Sequence, residues 1–287
     1  MENKGIQELV EDLQHHWHGL KELDLVENIA ELEALGYTVV SPDKLGDQNL
    51  ISEARERVLS LAKKADADSS DYTSYQKGLS YEMYHLVKQG EVFEKLLVNP
   101  IILALGRYLL GSTMILNNRL AFVKGKTDEY LRMHCDSLLV PEPLPQYRHL
   151  INCTLALTDY TLEGGCIGVV PGSHHLRRHP TQAEECDYKL MVPIECPAGS
   201  LVVMPGNTWH GAFPKTTDDL RVTLVQAYSR RYIKPSVSHD IPEEIFARNG
   251  DDFARLLGKY EWQGYDEKGF DLDLFADSYR AQRSQFF

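Results

Sequence analysis

Apolar residues recur at helical intervals through the first third of the chain and at strand intervals through its middle, with the change of period near Ser112. Leu, Ile and Val alternate with Glu and Lys through residues 5–35, and Gly36 stands where a helix C-cap belongs, so a helix is expected to hand over to the strand-like run Tyr37–Val40. Ser41-Pro42-Asp43 reads as a turn. Residues 49–65 repeat the helical spacing and predict a second amphipathic helix, while the polar stretch 65–78 reads as a loop. The run 92–111 predicts helix, a break at Asn99-Pro100, then helix.

Beyond Ser112 the chain breaks into short β-branched and aromatic runs at 113–125, 150–160, 165–174, 188–207 and 221–233, punctuated by Gly, Pro, Asn and Asp. Many short strands without intervening helices predict an antiparallel sandwich or jelly-roll barrel. The tail 241–287 is polar and helix-leaning, with glycine interruptions. No linker, repeat or low-complexity block divides the chain. The expectation is a single domain, 1–287, with a mainly helical shell (1–111), a β core (112–235) and a helical tail (236–287).

Composition narrows the function. The 287 residues are 43% hydrophobic and 25% charged, as in an ordinary globular protein, and the net charge of −12 gives nucleic-acid phosphate no electrostatic footing. The first twenty residues lack the apolar core of a signal peptide, and no window approaches eighteen uninterrupted apolar residues, so a cytoplasmic protein without membrane partners is expected. Five cysteines with no C-x-x-C spacing read as reduced, mostly buried thiols. Nothing in the pattern specifies an oligomeric state.

Candidate chemistry begins at Arg132–Pro145, where His134 and Asp136 lie two residues apart before three prolines. On a strand these two side chains share a face and Cys135 points away, so one segment offers an imidazole nitrogen and a carboxylate oxygen. His210, after the strand-like Ser200–Met204 and a Pro-Gly-Asn turn, is the best third donor. Two histidines and a carboxylate form the facial set of non-heme Fe(II) oxygenases. A lone His-x-Asp arises by chance in many chains. Arg221, which opens the run Arg221–Tyr228 and shares a face with Thr223, strengthens the reading, because its planar fork suits a carboxylate. The plainer alternative for Arg221 is a surface ion pair with Asp218 or Asp219.

In His134-Cys135-Asp136, residues 155–174 (LALTDYTLEGGCIGVVPGSH), residues 197–214 (PAGSLVVMPGNTWHGAFP) and Arg221, the sequence resembles the phytanoyl-CoA dioxygenase family of Fe(II)- and 2-oxoglutarate-dependent oxygenases. Weaker likeness extends the resemblance to roughly residues 29–235. It implies a double-stranded β-helix (jelly-roll, cupin-like) core, iron held by His134, Asp136 and His210, and 2-oxoglutarate paired through its distal carboxylate with Arg221. Family members often carry Ser or Thr two residues after the distal histidine, and here that residue is Ala212. Thr223 is the expected substitute, with Asn117 or Arg119 as a further helper. The implied reaction couples decarboxylation of 2-oxoglutarate, giving succinate and CO2, to O2-dependent oxidation of a small metabolite or natural-product intermediate. Hydroxylation is the expected outcome; desaturation, epimerisation, cyclisation and endoperoxide formation are alternatives.

Other residues invite weaker readings. His174 and His175 are expected to be structural in their glycine-rich turn, His15, His16 and His18 to be a solvated helix face, and Arg230 and Arg231 to be exposed charge or, lying just past the Arg221 strand, to meet an anionic substrate. The segment Ser137–His149 is expected either to wall a substrate pocket, with Gln146, Tyr147 and Arg148 as polar contacts, or simply to connect. Two other classes compete: a zinc hydrolase, which leaves Arg221 without a task, and a non-catalytic β-helix binding protein, which requires the loss of a donor or of the arginine.

Overall fold

The computed structural model describes residues 2–67, 80–236 and 240–259 and six positions between 265 and 272. Helices α1 (Glu2–Glu22), α2 (Val26–Ala34), α3 (Pro42–Leu45) and α4 (Gln48–Ala67) surround β1 (Thr38–Val40), and β2 (Ser80–Met83) precedes α5 (Glu91–Leu97) and α6 (Pro100–Leu110). The core strands follow: β3 (Ile115–Lys124), β4 (Leu131–His134), β5 (Leu150–Ala156), β6 (Ile167–Val169), β7 (Val192–Pro193), β8 (Leu201–Pro205), β9 (His210–Ala212) and β10 (Arg221–Ser229). Helix α7 (Glu243–Leu256) and a small hairpin, β11 (Tyr265–Asp266) with β12 (Gly269–Phe270), complete the described chain. Most of the predicted loop 65–78 lies outside the described residues.

The expected first helix is two helices. Asp24 takes a left-handed φ of 52°, and Lys44 holds the bend by donating to the Asp24 carbonyl at 2.6 Å while pairing with its carboxylate at 2.8 Å. The break at Asn99-Pro100 falls where the sequence predicts it. Asn99 caps α6 by accepting from the Ile101 and Ile102 amides and ties that cap to the Leu45 carbonyl.

Two antiparallel sheets face each other, one in the order β1-β8-β5-β10-β3-β2 and the other β4-β9-β6-β7. Neighbours far apart in sequence, such as β10 between β3 and β5, give the jelly-roll form of the double-stranded β-helix. Strand alternation sorts the side chains of the larger sheet. Ile151, Cys153 and Leu155 on β5, with Val222, Leu224 and Tyr228 on β10, join the helices in the main core. Asn152 and Thr154 on β5, with Arg221, Thr223, Val225 and Ala227 on β10, point to the space between the sheets. Ala156, Val202 and Met204 meet Cys166 and Val169 there and seal one end.

Arg119 departs from its expected role. Alternation on β3 turns it to the helical side, fully buried, where it donates to the Phe93 carbonyl and feels the Glu94 carboxylate that Arg248 and Asn249 bind. It cannot reach between the sheets. Four of the five cysteines are buried and none pairs with another, as the sequence suggests. No helix among the described residues is long and apolar enough to cross a membrane.

Replacing Asn99 with Ala removes both the α6 cap and the Leu45 tether, and should cost about 1 kcal/mol of stability, with 2 kcal/mol as the upper end for such caps. Urea unfolding of parent and variant at matched m-value measures it.

Candidate active site

Between the sheets lies a cavity of about 480 Å³. His134 ends β4 and His210 opens β9, and the two strands pair so that these residues stand directly opposite each other. Asp136 lies just past the end of β4. Its Oδ1 is 3.8 Å from His134 Nε2 and 3.6 Å from His210 Nε2, and a donor atom from each of the three residues falls within 4.8 Å of the others. Among the described residues no other group of three His, Cys, Asp or Glu side chains converges in this way.

The backbone sets both imidazoles. His134 Nδ1 lies 2.9 Å from the Arg132 carbonyl and His210 Nδ1 3.1 Å from the Thr208 carbonyl, so each Nδ1 carries the proton and each Nε2 lone pair faces Asp136. Asn152 donates to Asp136 Oδ2 at 3.0 Å and itself accepts from Thr154 at 2.6 Å, which leaves Oδ1 turned to the histidines. Burial, and then His210, push the His134 pKa down, favouring the neutral ring that a cation requires. Neutral nitrogens and one carboxylate oxygen, held from outside and open on one side, fit a divalent transition-metal ion.

Arg221 and Thr223 reach the same cavity from β10. Arg221 forms no ion pair with the neighbouring acids: Asp218 pairs with Lys126 and Asp219 with Lys215. Its guanidinium donates to the Gly165 carbonyl, its Nε is buried without a partner, and burial lowers its pKa. Lys124, opposite Arg221 in the β3–β10 register, is pushed down to about 8 by burial and then by the guanidinium. Arg221 thus brings to this end of the cavity a positive charge with no carboxylate partner among the described residues, and its planar fork suits a carboxylate ligand. Thr223 Oγ1 lies 2.6 Å from the Tyr160 hydroxyl, and the ring of Tyr160 flanks Arg221 at 5.8 Å. Ala212 lines the pocket without a polar group.

Asn152, Thr154 and Tyr160 were not among the sequence candidates. Two polar side chains at alternate positions of the apolar strand β5 were the available signal, since burial on that face demands partners. The proline-rich segment does wall the cavity, but through Ser137–Val140 and His149. Gln146, Tyr147 and Arg148 are not lining residues: Arg148 turns to Glu33 at 3.1 Å, the Tyr147 hydroxyl accepts from Tyr232, and the Gln146 carbonyl accepts from Arg148. Arg230, expected to be exposed, is buried over the Tyr147 ring and donates to the Arg148 carbonyl.

His174 and His175 stand apart from the three-donor cluster, each with Nε2 near the Glu33 carbonyl, at 3.2 and 3.1 Å. The turn that carries them braces the site indirectly: Ser173 Oγ accepts from the Trp209 amide, and Thr208 donates to the Gly36 carbonyl. Ser137 links the other side, donating to Asn207 at 2.8 Å and lying 3.0 Å from His149 Nε2.

A jelly-roll with two histidines, one carboxylate and an inward-facing arginine around one cavity has the make-up of the mononuclear non-heme oxygenases. Residues 32–223 match the family profile "Phytanoyl-CoA dioxygenase (PhyH)". The chain belongs to that family, and it is an enzyme of the oxidoreductase class. Among curated proteins it is similar to dioxygenase af480 of Aspergillus fumigatus, 28% identical over 205 residues, a match covering 70% of this chain and 65% of that protein. Among solved structures it is similar to HygX from Streptomyces hygroscopicus with nickel and 2-oxoglutarate bound, at TM-score 0.59, 16% identity and coverage of 73% and 88%. It is likewise similar to the non-heme alpha ketoglutarate dependent carbocyclase SnoK from nogalamycin biosynthesis, at TM-score 0.60, 20% identity and coverage of 75% and 88%. At these identities the structures share the fold.

His174 yields a pH prediction. Burial first, then His175 and Arg148, depress its pKa from 6.5 to about 4, so the unfolded chain takes up the proton more readily than the native one. Its contribution is therefore fully present above pH 6.5 and is lost as pH falls from 6.5 towards about 4. Denaturant unfolding across that window should show stability declining with acid, with a shallower slope in His174→Gln.

Proposed function

We propose that the protein is a cytosolic Fe(II)- and 2-oxoglutarate-dependent dioxygenase, one domain over the whole chain, that oxidises a small organic molecule, with hydroxylation as the outcome. The observation that carries the reading is the convergence of His134 Nε2, Asp136 Oδ1 and His210 Nε2 in a cavity that also presents the half-buried Arg221, whose Nε is buried without a partner. In this reading His134, Asp136 and His210 hold the iron. Fe(II) held there would supply the O2-dependent oxidation of the substrate, coupled to the conversion of 2-oxoglutarate to succinate and CO2.

The chain's own residues orient and shield. Carbonyl acceptors at Arg132 and Thr208 hold the two Nδ1 protons, so both Nε2 atoms stay available as donors. Asn152 pins Asp136 Oδ2 and keeps Oδ1 inward. Arg221 offers two parallel N–H donors to the distal carboxylate of 2-oxoglutarate, and the hydrogen-bonded Thr223–Tyr160 pair, with one hydroxyl proton left over, offers the further donor that Ala212 lacks. Leu120, Ile167 and Val225 line the cavity with aliphatic surface, which excludes water and strengthens each of these contacts.

The decisive experiment measures succinate release against 2-oxoglutarate concentration at fixed Fe(II) in the parent, Arg221→Lys and His210→Ala. The parent should saturate, and the lysine variant should need about tenfold or more 2-oxoglutarate because it keeps the charge and loses the two-pronged fork. His210→Ala should release none. Succinate release equal in all three, or activity indifferent to 2-oxoglutarate as for a zinc hydrolase, would overturn the reading. Product analysis with an accepted substrate separates hydroxylation from desaturation, epimerisation, cyclisation and endoperoxide formation.

Asn152→Ala frees Asp136 to rotate. Metal affinity, followed by competition with a chromogenic chelator, should fall by about 10- to 100-fold while the fold persists, the usual consequence of removing an outer hydrogen-bond partner.

A further inference from the structure

The cavity has two chemically distinct ends, and the one away from Arg221 is built around a pair of asparagines. On β3 the register to β10 pairs Asn118 with Ala227 and Leu116 with Tyr228, so Asn117 is an unpaired bulge residue. The bulge brings two successive side chains, Asn117 and Asn118, to the cavity where strict alternation would bring one.

The two amides are used differently. Asn117 is occupied by the protein: it donates to Ser229 Oγ and the Lys234 carbonyl and accepts from Ser236, fixing the segment that closes this end. Asn118 has a buried Oδ1 with no partner. Its neighbours on the sheet that face the cavity are aliphatic, namely Ala227 opposite it and the pair Leu120 and Val225, and Leu138 and Ile233 add aliphatic surface to the cavity lining. A buried amide oxygen among aliphatic groups is unfavourable unless something supplies its hydrogen bond. Apart from the histidines and Tyr160, which stands beside Arg221, the ionisable side chains lining the cavity are Asp136, Arg221 and Lys234, and Lys234 is exposed. The outer wall adds apolar surface at Leu138 and at Leu139, which is 98% exposed.

We propose that Asn118 is a specificity residue: it recognises one neutral hydrogen-bonding group, a hydroxyl or carbonyl, on a substrate whose body is otherwise apolar. The inference rests on the proposed function, for it assigns this end of the cavity to the substrate. The amide can donate or accept, so it serves a carbonyl through Nδ2 and a hydroxyl through either atom. An ionic headgroup would find no buried counter-charge at this end.

The test uses three probes with one bicyclic skeleton: 1-tetralone, tetralin and tetralin-1-carboxylate. Their affinities for the full chain are measured by ligand-observed NMR titration in the parent, Asn118→Leu and Asn118→Ser. Asn118→Leu is close in volume and lacks the hydrogen bond. It should weaken 1-tetralone about tenfold while tetralin binds as well as before or better, the signature of one lost neutral hydrogen bond in an intact pocket. Asn118→Ser should recover part of the ketone affinity. A ketone-to-hydrocarbon ratio unchanged by Asn118→Leu would overturn the proposal. So would tightest binding of the carboxylate by the parent, which would point to Lys234, or no binding of any probe. Succinate release by the parent tests the dioxygenase reading separately, so a failure of one is distinguishable from a failure of the other.

Discussion

The pairing of β4 with β9 places His134 opposite His210, and the geometry of the site depends on that register. A slip of one residue would turn one imidazole to the far face of its strand and dissolve the cluster. The close approach also constrains the neighbouring residue: a Cβ at Gly211 would stand 2.4 Å from the Leu131 carbonyl. Glycine beside the distal histidine is thus required by backbone contact between the strands, and every alternative side chain would push them apart.

Around this register the protein distributes charge unevenly. Asp136 gives one end of the cavity its carboxylate, held by Asn152, while Arg221 makes another end positive and pairs with no carboxylate among the described residues. Between them the walls are aliphatic. A dianion with one end for a metal and the other for a guanidinium fits this division, and a low-dielectric wall keeps both attractions from being screened.

The helical layer acts on the site through the backbone. Gly172 donates to the Leu35 carbonyl at 2.7 Å, Thr208 to the Gly36 carbonyl, and Ser173 accepts from the Trp209 amide, so the end of α2, the glycine-rich turn and the approach to His210 form one connected block. Trp209, buried and donating to the Arg178 carbonyl, anchors the next residue in the chain. The conspicuous His174 and His175 belong to this scaffold.

Period and punctuation were enough to read the helical first third, the Asn99-Pro100 break, the β core and the facing pair Arg221 and Thr223, because each depends on spacing along one segment. His134 and Asp136 were legible for the same reason, as was His210 through its strand-end position and its family resemblance. Local pattern does not say what packs on the far side of a sheet. Arg119 on β3 looked like a site residue until alternation placed it against the helices, and Tyr147 and Arg148 looked like substrate contacts until Tyr232 and Glu33 claimed them. Asn152, Tyr160 and Asn118 acquire meaning only from partners distant in sequence or from the lack of any, through the β10 register and the bulge at Asn117. Residue type and spacing mark which side chains could do chemistry; which of them share one cavity follows from the fold, because hydrogen bonding and burial are settled between strands rather than along them.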